Sequence, residues 1–114
     1  MTKPYLDLPA QYLAQVRTIL QTYVPEYEVW AYGSRVRGEA FAASDLDLVV
    51  RNPRHLSQPC DHIVALREAF VASNLPIRVD VVDWARIPPS FHHEIERGYV
   101  VVQPAMSTDN VRED

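Results

Sequence analysis

Residues 33–48 read GSRVRGEAFAASDLDL, and the chain runs on into Val49 and Val50. Asp45 and Asp47 alternate with Leu46 and Leu48 before the stretch becomes wholly apolar, the pattern of a strand that opens onto a wet site and then enters a core. Side chains two apart share a face of a strand. Both carboxylates therefore project to one side, about 7 Å apart at Cα, while the leucines point inward. Two like charges so placed repel each other. A pair of Mg2+ ions resolves the conflict, because carboxylate oxygens suit hard cations and a two-metal site needs its ions only about 4 Å apart.

Upstream of this strand, residues 28–32 (EVWAY) are rich in aromatic and β-branched types and stop at Gly33, which predicts a first strand. Glycine permits close backbone approach, and free N–H groups with the Ser34 hydroxyl can bind the terminal phosphates of a nucleotide. Residues 34–44 predict a short helical turn followed by a loop. Arg35 and Arg37 within it have two readings: a phosphate contact, or a surface that meets an acidic partner protein. Downstream, residues 77–82 (IRVDVV) predict a third strand in which Asp80 interrupts an apolar run. If this strand lies beside the Asp45–Asp47 strand, Asp80 converges on the same ions, and three carboxylates can hold two metals. A hydroxyl bound there would lose its proton more readily, and Asp80 is of the right type to accept it.

Around this centre the periodicity predicts a helix over 8–24, with Asp7 and Pro9 as its start signals. A second helix is expected over 60–73, burying Ile63, Leu66 and Phe70. A third begins at Pro88-Pro89, with Phe91 and Ile95 on one face, and closes at Arg97-Gly98, before a last strand over 99–102. The order is α, β, short α, β, α, β, α, β. It implies an α/β (α+β) fold: a mixed sheet of about four strands with helices packed against it. Residues 1–102 are expected to form a single domain and 103–114 a flexible tail.

At 114 residues the chain has room for one domain, and its 47% apolar content supports a packed core. A net charge of −4 argues against long nucleic acids as ligands. Lys3 is the only lysine among 11 basic residues, a bias that a GC-rich coding sequence would also produce. Cys60 is the single cysteine, so neither an internal disulfide nor a structural zinc cluster is expected. The first twenty residues lack the apolar run of a signal peptide or membrane span, so a cytoplasmic location is expected.

Taken together, GSRVRG, SDLDLVV and RVDVVD resemble the minimal nucleotidyltransferases, small members of the DNA polymerase beta-like superfamily. The resemblance covers nearly the whole chain, and residues 91–102 (FHHEIERGYVVV) are similar to that family's closing helix and strand. It implies a nucleotidyltransferase fold, with Asp45, Asp47 and Asp80 as catalytic metal ligands and Gly33-Ser34 as the triphosphate-binding turn. It also implies transfer of a nucleoside monophosphate, usually AMP from ATP, to a hydroxyl with release of pyrophosphate. Single-domain relatives are paired with a HEPN-domain toxin, on which they modify a tyrosine as antitoxins. Two other functions remain open at this point: a toxin-binding scaffold without catalysis, and transfer to a small-molecule hydroxyl. A homodimer is compatible with so small a domain.

The remaining polar and aromatic residues have plainer readings. Asp83, three residues after Asp80, faces the opposite side and reads as a strand-end or capping carboxylate. His92 and His93 lack a second spaced ligand and read as surface or partner-facing. Trp30 and Tyr32 read as core, and Cys60 as an incidental thiol at a helix start. Arg51, Arg54 and Arg78 flank the acidic strands, where they either balance the site or solvate it.

Overall fold

A computed structural model describes residues 5–105. Helix α1 spans Ala10–Tyr23, strand β1 Glu28–Tyr32, the one-turn helix α2 Ser34–Arg37, and strand β2 Leu46–Arg51. Helix α3 follows at Ile63–Ala72, then strand β3 at Val79–Asp83, helix α4 at Pro89–Glu96 and strand β4 at Val100–Gln103. The predicted order of elements is the one observed. A 3-10 turn at Trp84–Arg86, which the sequence reading lacked, joins β3 to α4.

The four strands form one mixed sheet in the order β3-β2-β1-β4. β2 pairs with β3 in parallel, while β1 pairs antiparallel with both β2 and β4. Alternation along each strand gives the sheet two chemically distinct faces. Leu46, Leu48 and Val50 of β2 turn toward α1 and α3, where they join Val16, Leu20, Ile63, Leu66 and Phe70 in the main core. Val49 turns the other way and packs with Trp30, Trp84 and Ile95 beneath α4. Helix α4 covers only part of that second face, and the Asp45–Asp47 end of β2 stays open to solvent.

Several boundaries shift for physical reasons. Helix α1 starts at Ala10 behind Pro9, and no side chain caps it. Asp7 is therefore not a cap; its main chain pairs with Arg35, its N–H donating to Arg35 O at 2.8 Å. Helix α3 starts at Ile63, so Cys60 lies in the turn before it, buried, with its N–H donating to the Asp83 carboxylate at 2.8 Å. Gln103 is not the start of a tail. It completes β4 and is buried, its amide donating to the carbonyls of Val24 and Tyr27 at 2.8 Å each. The rest of the expected tail from residue 106 lies outside the described residues. Among those described, no helix is long and apolar enough to cross a membrane.

Candidate active site

The open end of the second face is organised by strand register. Tyr32 of β1 lies opposite Asp47 of β2, and Asp47 lies opposite Asp80 of β3, so the three form a row across the sheet. Neighbouring strands are about 4.8 Å apart, which sets the Asp47–Asp80 backbone spacing. Asp45 precedes β2 by one residue on the same face as Asp47. The expectation that the third strand lies beside the Asp45–Asp47 strand holds.

The electrostatics bear the mark of crowded negative charge. Burial pushes the Asp47 carboxyl above its ordinary value, Asp80 and then Asp45 push it further, and Arg37 pulls it back. Burial likewise raises the Tyr32 phenol, with Asp47 and Asp80 adding to the shift, so the phenol stays protonated at neutral pH. The donors are all carboxylate oxygens, which suits a hard divalent ion such as Mg2+ and neither a soft nor a thiolate-seeking metal. Among the described residues no three acidic, histidine or cysteine side chains already gather about one point. Asp45 and Asp80 are exposed. Exposed side chains change rotamer within picoseconds to nanoseconds, so these two are free to turn.

Gly33 closes against this row. Its φ is 85°, and a Cβ there would collide with Oδ2 of Asp47, the Asp47 Cγ lying 3.3 Å from the same point. Both the left-handed backbone and the close approach call for glycine. Gly33 caps α2, with its carbonyl accepting from the N–H groups of Val36 and Arg37 at 3.0 and 3.2 Å. Arg37 is exposed, pairs with Glu39 at 3.3 Å and is close enough to Asp47 to affect its titration. It borders a cleft of about 270 Å³ lined by Tyr32, Gly33, Arg37, Glu94, Arg97 and Gly98. Glu94, Arg97 and Gly98 belong to the α4 end of the chain and carry no site signal in the sequence.

Arg35 corrects the sequence reading. It is 3% exposed, buried against main chain rather than open to a ligand or partner. All three guanidinium nitrogens donate to main-chain carbonyls: Nε and Nη2 to Ser44 at 3.1 and 2.9 Å, Nη1 to Asp7 at 2.7 Å, and Nη2 to Ala42 at 3.0 Å. Ser44 in turn accepts the Phe41 N–H on its hydroxyl at 2.9 Å. Arg35 and Ser44 thus fold the loop that delivers Asp45. A buried fork with several donors suits this role, but in sequence Arg35 and Arg37, both between Gly33 and Gly38, look alike.

The plainer readings fare variously. Asp83 is buried on the opposite face and accepts from Ala85 N at 3.3 Å, capping the 3-10 turn as expected of a strand-end carboxylate. Trp30 is core, stacked on Tyr99 with centroids 3.8 Å apart. His92 is half-buried. Its ring stacks on Trp84 at 3.8 Å, and Nε2 lies 2.7 Å from the Trp84 carbonyl. His93 is exposed, as expected. Arg51 sits at the far end of β2, between Trp30 and Trp84 at 4.1 and 4.5 Å and paired with Glu28, so it does not balance the acidic site. Arg54 and Arg78 are exposed. Burial raises the Cys60 thiol above its ordinary value, which keeps it protonated and unreactive.

Carboxylates crowded beside a glycine turn, with Arg37 and Arg97 in the cleft next to them, each paired to a glutamate, suit chemistry on a metal-bound phosphate. The nucleotidyltransferase domain model matches residues 13–103, and the chain belongs to that family. It is 46% identical over 105 residues to a probable protein adenylyltransferase MntA of Haemophilus influenzae, covering 90% of this chain and 89% of that one. The fold is also that of a crystal structure of a toxin–antitoxin with AMP-PNP, at TM-score 0.64 and 20% identity over 87% of this chain and 78% of the other. A mutant of the MntA–HpeT toxin–antitoxin matches at TM-score 0.60 and 19% identity, over 86% of this chain and 76% of that one.

Proposed function

We propose that this chain is a Mg2+-dependent adenylyltransferase that moves AMP from ATP to a hydroxyl of a partner protein, a tyrosine of a HEPN-domain toxin, and thereby acts as an antitoxin. The observation that carries this reading is the cross-sheet register that sets Asp47 beside Asp80, with Asp45 on the same face, in a chain so similar to a probable protein adenylyltransferase. Asp45, Asp47 and Asp80 would hold two Mg2+ ions, which when bound lower the pKa of an acceptor hydroxyl and neutralise charge on the phosphates. Gly33 and Ser34 lie where the main chain can approach the triphosphate closely, and Arg37 with Arg97 lends positive charge to the cleft beside it. Asp80, exposed at the end of the row, accepts the hydroxyl proton as the acceptor oxygen bonds to the α-phosphorus and pyrophosphate leaves.

The test is transfer of label from α-phosphate-labelled ATP, with Mg2+, to the toxin copurifying with the chain. Labelled partner tyrosine is expected, and Asp47→Asn should lose transfer while staying folded, because charge goes and volume is kept. If Asp45→Asn/Asp47→Asn protects cells from the toxin as well as wild type does, binding alone neutralises it and the catalytic reading fails.

A further inference from the structure

We propose that the free edge of β3 is the docking line for the acceptor: an extended segment of the partner protein adds beside β3 as a fifth strand, with its hydroxyl-bearing residue next to Asp80 and apolar residues on both sides of it. The inference rests on the transfer reaction above and says where the acceptor binds.

β3 ends the sheet order, and its main-chain directions can be read from its partners. The Arg78 carbonyl accepts from Leu46 N at 2.9 Å, so Arg78, Asp80 and Val82 turn their main-chain groups toward β2. Val79 and Val81 therefore turn theirs outward, as alternation along a strand requires. Arg67 of α3 shows this directly, donating from Nε and Nη2 to the Val81 carbonyl at 3.0 and 2.8 Å. It covers one end of the edge and leaves the Val79 end facing outward. Outward N–H and C=O groups on an edge strand are a template for an added strand.

The row Tyr32, Asp47, Asp80 defines what such a strand would present. The next place in it lies off the edge, one strand spacing of about 4.8 Å from Asp80 and on the same face. Residues before and after that place turn to the other face, toward α3. There a cleft of about 360 Å³ runs along the edge, with Phe70, Val71, Leu75, Ile77 and Val79 among its lining. Val71 is 86% exposed there, an apolar surface a partner would cover. Reaction geometry selects the same side. Attacking and leaving oxygens lie in line across the phosphorus, and the cleft at Gly33, Arg37 and Arg97, whose arginines pair with Glu39 and Glu94, is on the Tyr32 side of Asp47. The acceptor oxygen then bonds to the α-phosphorus from the β3 side and its proton passes to Asp80. The bond from the α-phosphorus to its bridging oxygen breaks, and pyrophosphate leaves toward the arginines.

The experiment uses the full chain and the partner that the wild type labels. Val71→Asp should raise the KM for that partner at least about tenfold with little change in kcat, as expected of a lost apolar docking contact. Val64→Asp, on the same helix but outside the cleft, should transfer as wild type does. Hydrogen exchange adds a readout independent of turnover: in the complex the Val79 amide becomes protected, while those of Asp80 and Val82 are protected already in the free chain and Val81 is already buried. Unchanged KM in Val71→Asp, or a complex with no gain of protection at Val79, overturns the docking line alone. Protection of that amide in the chain by itself, rising with concentration, gives the edge to a second copy and also overturns it. If the wild type labels no partner, the transfer reading falls and takes this inference with it.

Discussion

Gly33 and Asp47 are fitted to each other, and each change at one is felt at the other. Gly33→Ala would put a methyl group on the Asp47 carboxylate at a backbone φ of 85°. A loss of about 1–3 kcal/mol is expected from the strained backbone together with the clash. Transfer should fall further than stability, because the displaced group is one of the proposed metal ligands; urea unfolding and label transfer on the same samples separate the two. Asp47→Asn has the opposite sign for stability. Its folded-state carboxyl titrates above the ordinary value of 3.8, so the folded protein holds that proton more tightly than the unfolded chain. The contribution favours folding below the ordinary value and is lost as pH rises through the raised one. In a chelator at neutral pH, Asp47→Asn should therefore melt a few degrees above wild type. The gap should close as pH falls through the raised value toward the ordinary one; a variant that melts lower at neutral pH would contradict the crowding of charge.

Helix α2 is one turn long, so its position is set by what it holds rather than by its own hydrogen bonds. Arg35→Leu removes the fork that gathers the carbonyls of Asp7, Ala42 and Ser44. A cost of about 2–4 kcal/mol is expected, because these carbonyls lose charged donors and must find water. Arg35→Lys should restore only part of it, since an ammonium cannot span the same set. Denaturant midpoints measure both, and kcat should fall with them because the loop delivers Asp45. Arg35 also shows where sequence reading stops. β1, β2 and α3 were legible because apolar and aromatic runs mark the two strands and helical spacing marks α3, as Val29-Trp30-Ala31, Leu48-Val49-Val50, and Ile63, Leu66 and Phe70 show. Asp45, Asp47 and Asp80 stood out because acids inside apolar strands break that pattern. Arg35 was misread because its partners are the main-chain carbonyls of Asp7, Ala42 and Ser44, outside its own helical turn, which residue spacing does not record. The bounds of β3 and β4 shifted by a residue or two because pairing, not composition, ends an edge strand.

The fold as a unit does one thing for the chemistry: it holds two parallel strands so that acids far apart in sequence become neighbours. That register depends on the core beneath it. Leu48 is fully buried between β2 and the helices, and Leu48→Ala should cost about 2–5 kcal/mol. A small domain has about 5–15 kcal/mol in all. A large drop in urea midpoint with residual transfer in the folded fraction is expected; complete loss of transfer in protein shown to be folded would mean that packing and site are coupled more tightly than register alone requires. The proposed reaction needs the three carboxylates to act as one set, although Asp80 comes from a different strand than Asp47. Counting bound Mn2+ by electron paramagnetic resonance, with a non-hydrolysable ATP analogue present, tests this most directly. Two ions per chain are expected in the wild type, and fewer or weaker ones in Asp80→Asn; an Asp80→Asn protein that binds both ions as the wild type does would contradict the account.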